Sequence, residues 1–342
     1  MSKIKKKILI VGSLRSFETY EEPLGYGFKK NKFKVFFFKI FPNYKKNVQD
    51  KVYFFLFEKL KISFFLRSFN KGLIQRVKII KPHILFLWRS TTILPETIRK
   101  IKIMYPEIKV VIYHNDNPYS GIINYFKYRH YLKLIKISDV AAIYRPSDYT
   151  KIKKFKPKKV KLLKPYYTSY LHKPLRVKKK RDVVFIGHYT KERGKKLNLL
   201  YNNNIQFNVF GNGWQKYCSK MNWPKNIFGS GKYKSDYIKI INESKIALGF
   251  LSVKNNDVYT RRCYEIPACK TLLFAQKTKE LNKILKENTE AVYWKNDYEF
   301  INKIKFLLKN KQKIKKISKS GYLKIVNNGN SEFHRAKEII SY

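Results

Sequence analysis

Residues 245–269 read KIALGFLSVKNNDVYTRRCYEIPAC, in which an apolar run is followed by a polar loop and then by a second apolar run. The first run, Lys245–Ser252, is bounded by polar residues, which predicts a buried strand. Asp257 then stands where a helix N-cap belongs, and Arg261 and Arg262 would lie in the first turn of that helix. A strand that leads directly into a helix is the repeating unit of an α/β fold.

The same stretch concentrates charged side chains. The chain has 75 basic residues but only 23 acidic ones, and two of these acids, Asp257 and Glu265, stand eight positions apart. Cations in the first turn of a helix are disfavoured by the helix dipole unless an anion binds there. Arg262 and Glu265 would share one helix face, so a single pocket could offer a cation to a diphosphate and a carboxylate to sugar hydroxyls. A nucleotide-sugar has both a diphosphate and sugar hydroxyls, so the stretch predicts a nucleotide-sugar site. The alternative is a solvated helix with an internal Arg–Glu pair.

The segment 257–269, DVYTRRCYEIPAC, resembles the donor-site motif of the CgeB-like, spore-maturation-type glycosyltransferases, a branch of the retaining, two-domain GT-B enzymes. The resemblance implies that Glu265 binds the nucleotide ribose, that Asp257 contacts the donor sugar and that Arg262 binds the diphosphate. Lys270 stands where this family usually has glycine. It is therefore predicted to occupy a strained turn at the end of the helix.

Composition limits the classes of function. With 342 residues, 44% hydrophobic and 16% aromatic, the chain can form two domains with ordinary cores. No apolar run approaches the roughly 18 residues of a membrane span, and the first residues do not form an export signal. The three cysteines form no CxxC motif, which argues against a disulfide framework or a structural zinc site. A reducing cytoplasm is the predicted compartment.

The formal charge of +52 would suit nucleic acid or an anionic membrane as a partner. Only 13 of the 75 basic residues are arginine, and no zinc-finger spacing or RNP-type motif appears, so we expect no dedicated nucleic-acid binding. Contact with acidic membrane lipid is favoured over nucleic-acid binding. Aromatic residues alternate with lysines in Phe54–Phe69. This pattern fits an interfacial helix, although a helix packed on the sheet with snorkelling lysines is favoured.

The first half of the chain reads as a Rossmann-like domain. Short apolar runs at residues 7–12, 34–40 and 83–88 alternate with helical patterns, which predicts parallel strands joined by helices. Gly25 and Gly27 interrupt the first helical pattern and predict a close approach by another element.

Polar residues follow the next apolar run, 109–113, in the order His114-Asn115-Asp116-Asn117-Pro118. Groups just past the carboxyl ends of parallel strands face the ligand crevice, so His114 and Asp116 are predicted to act on the acceptor side of a reaction. The segment is similar to the Asn-Asp-Asp-Pro segment of the same family, with Asn117 in place of an acid. An Asx turn ahead of the proline is the alternative.

The second half repeats the pattern. Residues 182–187 form a strand that ends in glycine, and Arg193 falls near the place where retaining GT-B enzymes set a cation against the donor diphosphate. Residues 205–214 resemble the family's Tyr-Gly-x-Gly-Trp segment, in which bare backbone can approach a ligand. The alternatives are that Arg193 is an ordinary surface residue and that Gly211 and Gly213 form an ordinary turn. The predicted donor-binding residues are Gly187, Arg193, Gly211, Gly213, Asp257, Tyr259, Thr260, Arg262 and Glu265.

The predicted architecture is α/β of the GT-B type, with two Rossmann-like domains whose parallel sheets face a central cleft. Residues 1–165 would form the acceptor-side domain, 166–181 a linker and 182–314 the nucleotide-sugar-binding domain, while a C-terminal helix within 315–342 could pack back on the first domain.

The resemblance implies a hexosyltransferase-type enzyme of the cell envelope. It would move a sugar from a nucleoside-diphosphate sugar to a glycan, a lipid-linked molecule or a protein. Retention of the anomeric configuration follows from the resemblance. Because no Asp-x-Asp pair is present and cations could supply the compensating charge, no metal and no cofactor are expected. Two alternatives remain, a nucleotide-sugar epimerase of similar fold and a non-catalytic membrane-associated binding protein.

Overall fold

In the computed structural model the described residues are 5–14, 20–40, 63–119 and 121–342. The chain divides into two compact units, unit 1 of Met1–Lys164 with Glu332–Tyr342, and unit 2 of Pro165–Ser331. Residues 166–181, for which a linker was predicted, lie within unit 2. Of the C-terminal segment 315–342, only residues 332–342 lie with unit 1.

Unit 1 is built on a six-stranded sheet of the order β2-β1-β3-β4-β5-β6, in which all neighbouring strands are parallel. The central strands are continuous apolar runs and are buried on both faces by helices, as parallel sheets require. The strands are β1 Lys7–Gly12, β2 Lys34–Lys39, β3 Ile84–Trp88, β4 Lys109–His114, β5 Val140–Ile143 and β6 Val160–Leu162. The helices are α1 Glu21–Lys30, α2 Ser63–Ile80, α3 Pro95–Met104, α4 Gly121–Ile137, α5 Asp148–Lys153 and, from the end of the chain, α13 Glu332–Ile340.

The last helix packs against the first one at Gly27. A Cβ atom on Gly27 would lie 2.3 Å from the backbone oxygen of Glu332, so only glycine fits between α1 and α13. The Asn31 side chain fastens the same contact by donating from Nδ2 to the backbone oxygen of Phe333 at 3.1 Å. The close approach predicted from the helix glycines is confirmed.

Helix α2 covers one face of the unit 1 sheet. Leu66, Leu73, Val77 and Ile80 are buried and belong to the same core cluster as β1 and β3. For these residues the interpretation as a helix packed on the sheet is confirmed. Residues 54–62 of the predicted interfacial helix lie outside the described residues. Among the helices that are described, none combines the length and the apolar composition that crossing a bilayer requires.

Unit 2 has a second six-stranded parallel sheet, with the order β12-β11-β10-β7-β8-β9. The chain runs from β7 outward to β9 and then returns to the other side of β7, so the strand order reverses between β7 and β10. The strands are β7 Arg181–Ile186, β8 Phe207–Phe210, β9 Phe228–Gly229, β10 Ser244–Gly249, β11 Leu272–Gln276 and β12 Val292–Trp294. The helices are α6 Lys191–Asn202, α7 Trp214–Lys220, α8 Lys234–Asn242, α9 Arg262–Ala268, α10 Lys279–Ile284, α11 Asp297–Lys309 and α12 Lys311–Asn327.

The helix after β10 begins later than the sequence predicted. Asp257 is not its N-cap, because α9 begins at Arg262 and Arg261 is the capping residue. The backbone N–H of Asp257 instead donates to the oxygen of Ser252 at 3.0 Å, with Asn256 in a left-handed conformation at φ +51°. Residues 252–257 therefore form a turn and do not belong to the first turn of α9.

The end of α9 agrees with the prediction. Lys270 follows the C-cap residue Cys269 and has φ +56°, the left-handed conformation that favours glycine. A lysine in this position is strained.

Candidate functional site

Unit 2 gathers two arginine side chains at the carboxyl ends of its central strands. Arg193, in the first turn of α6, donates from Nη1 to the backbone oxygen of His188 at 2.9 Å. Arg262, the first residue of α9, donates from Nε to the backbone oxygen of Ile186 at 2.6 Å. The two guanidinium carbons lie 5.5 and 5.9 Å from the centre of the Phe185 ring. Both cations therefore sit where the strand order reverses, the usual ligand position in open α/β sheets.

The electrostatics of this place favour an anion. Burial and, to a smaller extent, the neighbouring Arg262 lower the pKa of Arg193 to about 10, while the Asp257 carboxylate opposes the change. Burial together with the same two guanidiniums also lowers the pKa of the His188 imidazole. Neighbouring cations that lower the pKa of Arg193 and of His188 mark a site that an anionic ligand would stabilise.

The loop from β10 to α9 carries the remaining predicted donor residues. Asp257 is half-buried and lies near enough to Arg193 to affect its pKa. Tyr259 is fully buried, and the Thr260 hydroxyl lies 3.8 Å from the sulfur of Cys263. The Thr278 hydroxyl holds the loop by donating to the backbone oxygen of Val258 at 2.7 Å. Among these residues, Asp257 is the one whose charge acts on Arg193.

Glu265 is the centre of a buried polar network. Its Oε1 atom lies 2.7 Å from Nη2 of Arg261 and 3.6 Å from Nε2 of His172, and its Oε2 atom accepts a 3.0 Å hydrogen bond from the Tyr237 hydroxyl. The sequence predicted that Arg262 and Glu265 would share one helix face, with an internal Arg–Glu pair as the alternative. Arg262 turns toward β7, and Arg261, one residue earlier, forms the ion pair.

The network keeps Glu265 ionised. Burial alone would raise the pKa of Glu265, but Arg261, followed by His172 and other neighbours, brings it below its usual value. Burial lowers the pKa of His172 to about 4. Nδ1 of His172 lies 2.9 Å from the backbone nitrogen and 3.2 Å from the backbone oxygen of Thr168, which fixes the ring with Nε2 facing Glu265. A carboxylate can accept about four hydrogen bonds, so these partners do not exhaust the capacity of Glu265.

The predicted glycines join two loops of unit 2. Gly211 has φ +152°, and a Cβ atom there would lie 2.1 Å from the backbone oxygen of Gly187. Trp214 donates from Nε1 to this same oxygen at 2.7 Å. Gly213 is left-handed at φ +85° and packs on Tyr189. Close packing on the Gly187 backbone therefore requires glycine at position 211, and the left-handed backbone favours glycine at position 213.

In unit 1, His114 is a core residue at the end of β4. The imidazole is 4% exposed, and its centre lies 4.8 and 5.1 Å from the rings of Tyr128 and Tyr131. The backbone N–H of Asp116 donates to Nδ1 of His114 at 3.1 Å. Burial lowers the pKa of His114 to about 3, so the ring stays neutral at physiological pH. A buried base with so low a pKa is poorly suited to proton transfer near pH 7.

Asp116 is half-buried and ionised. Burial would raise its pKa, but His114, Arg89, Lys127 and Arg145 outweigh that effect and lower it. Asp116 is therefore the residue of this segment that presents charge.

Two arginines hold the loop that carries Asp116. Arg89 donates from Nε to Oδ1 of Asn115 at 2.5 Å, and Arg145 donates from Nη2 to the backbone oxygen of the same residue at 2.7 Å. Asn117 Oδ1 accepts from the backbone N–H of Tyr119 at 3.2 Å, which forms an Asx turn around the proline between them. The alternative of an Asx turn is confirmed for Asn117.

Sequence reasoning missed four residues of these two clusters. Arg89 follows the end of β3 directly, and Arg145 lies two residues after β5, so the rule about strand ends could have found both. His172 and Tyr237 come from segments distant from Glu265 in the chain, and nothing in the sequence marks them as its partners. Across the described ranges, no group of three or more His, Cys, Asp or Glu residues could hold a metal ion.

Residues 194–341 match the sequence model of a family described as glycosyl transferase-like. No curated protein matches the chain. Sucrose-phosphate synthase from Thermosynechococcus elongatus is 10% identical, with 98% of each chain covered and a TM-score of 0.71. The chain has the GT-B fold.

Two further structures with this fold are similar. A glycosyltransferase from Rickettsia africae is 13% identical, with 99% of this chain and 97% of that chain covered and a TM-score of 0.69. HepE from Anabaena, solved in complex with UDP and glucose, is 11% identical, with 98% of each chain covered and a TM-score of 0.68. The predicted α/β, GT-B fold class is confirmed. Together the family match and the GT-B neighbours support a glycosyltransferase of the GT-B superfamily.

Proposed function

We propose that this protein is a metal-independent glycosyltransferase of the CgeB-like branch, which takes a hexosyl group from a nucleoside-diphosphate sugar. The observation that carries the proposal is the pair of guanidiniums, Arg193 and Arg262, close to the Phe185 ring where the unit 2 strand order reverses. Planar guanidiniums bind phosphate oxygens bidentately. HepE, a structural neighbour, has been solved with UDP-glucose, a donor of this class.

Each donor residue receives one role. Arg193 and Arg262 would stabilise the negative charge that develops on the departing nucleoside diphosphate as the glycosidic bond breaks. Asp257, beside Arg193, would accept hydrogen bonds from sugar hydroxyls. Glu265 would accept one from the ribose with the hydrogen-bonding capacity that its buried network leaves. Fixed charges of this kind need no reorganisation during the reaction, which favours catalysis by positioning.

We propose that unit 1 supplies the residue that acts on the acceptor. We assign Asp116 to the acceptor hydroxyl, because its carboxylate is ionised and held by a loop that Arg89 and Arg145 fix at Asn115. His114 then supports this loop through Nδ1 and takes no proton itself. Retention of the anomeric configuration follows from the CgeB-like resemblance and is part of the proposal.

The first turns of α4 support a lipid-linked acceptor. Ile122 and Ile123 are 85% and 84% exposed, and Phe126 is 68% exposed. The guanidinium of Arg129 lies 5.5 Å from the ring of Phe126. Exposed apolar side chains next to cations on one helix are typical of contact with an anionic membrane surface, and the formal charge of +52 adds attraction to acidic lipid. We therefore propose that the protein works on the cytoplasmic face of a membrane.

The test uses UDP-glucose as the probe. Isothermal titration should show binding by the wild-type chain and a loss on replacing both Arg193 and Arg262 by alanine, with folding checked by circular dichroism. Slow hydrolysis of UDP-glucose without acceptor would agree with a transferase. Isomerisation of the sugar without an acceptor would instead identify an epimerase, and binding of vesicles without any turnover of several nucleoside-diphosphate sugars would identify a non-catalytic protein.

A further inference from the structure

A second cavity lies in unit 2 at the opposite end of its sheet. It has a volume of about 610 Å³ and is lined by residues that come just before or begin three strands, such as Lys179 before β7, Lys245 in β10 and Lys270 before β11. The two arginines of the candidate donor site lie at the carboxyl ends of the same strands. Strands of this length rise about 3.3 Å per residue, so the six residues of β10 separate the two places by about 17 Å.

All charged side chains that line this cavity are positive. No aspartate or glutamate lines it, whereas six lysines do. One of them, Lys245, is paired with Asp182, which lies outside the lining. Six ammonium groups around one cavity repel one another unless an anion neutralises them. The six are Lys178, Lys179, Lys245, Lys270, Lys311 and Lys315.

The ammonium groups come from elements that fix their positions. Lys311 and Lys315 are four residues apart on α12 and so share one helix face, with Ile314 between them. Lys179 donates from Nζ to the backbone oxygen of Ser244 at 2.7 Å, and burial lowers its pKa to about 8. Lys270 projects from the strained left-handed turn after α9. The cavity is therefore built by separate segments and is not a run of neighbouring lysines.

The same cavity has an apolar wall. Leu175 and Val177 line it and are 38% and 37% exposed, although both are apolar. Pro174 and Ile314 extend this wall. A ligand that used the whole cavity would combine several negative charges with an apolar part.

We propose that this cavity binds an oligophosphate anion, such as a diphosphate or triphosphate that carries an apolar group, at a site separate from the candidate donor site. Lysine ammonium groups are compact charges on flexible stems and suit phosphates without fixing one geometry. Two sources provide this chemistry, a soluble oligophosphate and a lipid diphosphate. The proposal does not depend on the proposed glycosyltransferase activity.

The experiment measures binding of sodium tripolyphosphate and of farnesyl diphosphate by isothermal titration at physiological salt. All proteins carry Arg193→Ala and Arg262→Ala, so that the candidate donor site cannot account for the binding. In this background the triple variant Lys178→Ala, Lys311→Ala and Lys315→Ala removes three exposed lysines of the cavity. The matched control removes three exposed lysines of unit 2 that do not line it, by Lys216→Ala, Lys220→Ala and Lys225→Ala.

We expect the cavity triple to weaken binding at least tenfold and the control triple less than twofold, with melting temperatures that match within a few degrees. Leu175→Ser with Val177→Ser should weaken farnesyl diphosphate and leave tripolyphosphate unchanged if the lipid diphosphate is the tighter ligand. Tighter binding of tripolyphosphate would identify a soluble oligophosphate as the source. Equal losses in the two triples would show non-specific attraction to a basic chain and would overturn the proposal, as would the absence of binding by both probes. Because the background lacks the donor-site arginines, neither result bears on the activity toward UDP-glucose.

Discussion

The Arg261 guanidinium lies 2.7 Å from the Glu265 carboxylate, one helical turn further along α9. Both side chains are almost withdrawn from solvent, at 11% and 10% exposed. Arg262, the next residue, turns away from this pair and contacts the backbone of β7. The two consecutive arginines therefore have different roles. Arg261 neutralises a buried carboxylate, whereas Arg262 lies at the strand ends where we propose that the diphosphate binds.

Glu265→Ala should destabilise the fold as well as weaken donor binding. Removing one partner of a buried ion pair leaves the other charge unpaired, which costs about 3–5 kcal/mol of unfolding free energy. Loss of a charge-assisted hydrogen bond to the ribose should weaken UDP-glucose binding by about 1.5–3 kcal/mol. Urea denaturation and isothermal titration measure the two effects. Asp236→Ala, which removes an exposed acid from α8, is the control and should cost less than about 1 kcal/mol.

Arg193→Ala and Arg262→Ala should each weaken the affinity for UDP-glucose by about 1.5–3 kcal/mol, or roughly 10- to 150-fold. The reason is that each guanidinium would donate charge-assisted hydrogen bonds to the diphosphate. Arg176→Ala removes an exposed arginine of unit 2 and should leave the affinity within about twofold, because an isolated surface charge contributes little. Unchanged affinity in both site variants would remove the donor assignment.

The stability of unit 2 should depend on the protonation of His172. Its pKa is about 4 in the folded protein and 6.5 in an unfolded chain, so below pH 6.5 the unfolded chain binds the proton first. The unfolding free energy should therefore be insensitive to this residue above pH 6.5 and fall by up to about 3 kcal/mol as the pH drops to 4. Urea titrations between pH 7 and 4 measure the slope. His172→Asn, which cannot titrate, should reduce it; an equal slope in this variant would contradict the prediction.

Lys270→Gly should stabilise the protein. Lys270 has φ +56°, a conformation that costs a non-glycine residue about 1–2 kcal/mol, while glycine loses about 0.5–1 kcal/mol more in entropy on folding. The difference predicts a gain of about 0.5–1 kcal/mol in unfolding free energy, measured by urea denaturation. Lys270→Ala keeps the Cβ atom and should give no gain. Equal gains in the two variants would indicate relief of lysine repulsion in place of backbone strain.

Gly27→Ala and Gly72→Ala should have opposite effects on stability. A methyl group at Gly27 would overlap the backbone of Glu332, so we expect a loss of about 1–3 kcal/mol. At Gly72, an exposed position inside α2, the nearest atom would be an ordinary contact at 3.7 Å from Phe38. There the higher helix propensity of alanine should give a gain of up to about 1 kcal/mol. Melting temperatures of the two variants compare the effects directly.

Most of the fold could be predicted because the strands are parallel and buried. A strand covered on both faces must be apolar throughout, so β1, β3, β4, β7 and β10 stand out as short apolar runs between polar residues. The start of α9 could not be predicted in the same way. Asp257 has the chemistry of an N-cap, but a hydrogen bond to Ser252 and the left-handed Asn256 place it in a turn before the helix.

The sequence could predict those parts of the candidate site in which charged residues follow the end of a strand. It could not predict which side chains form pairs where several partners are within reach. Arg261 and Arg262 lie four and three residues before Glu265, and both spacings allow contact on a helix, so the sequence does not decide between them. His114 illustrates another limit. Its position after β4 suggested catalysis, whereas its burial between two tyrosine rings depends on α4, which the local sequence does not reveal.

The contact between Gly27 and Glu332 also bears on the order in which the chain can fold during synthesis. Unit 2 is a continuous segment, Pro165–Ser331, and all its strands have been made before α13 is translated. Helix α1, by contrast, is translated before unit 2, so its partner helix is absent until all of unit 2 has been made. Until then the surface around Gly27 lacks its cover, and uncovered apolar surface on a nascent chain is what chaperones bind.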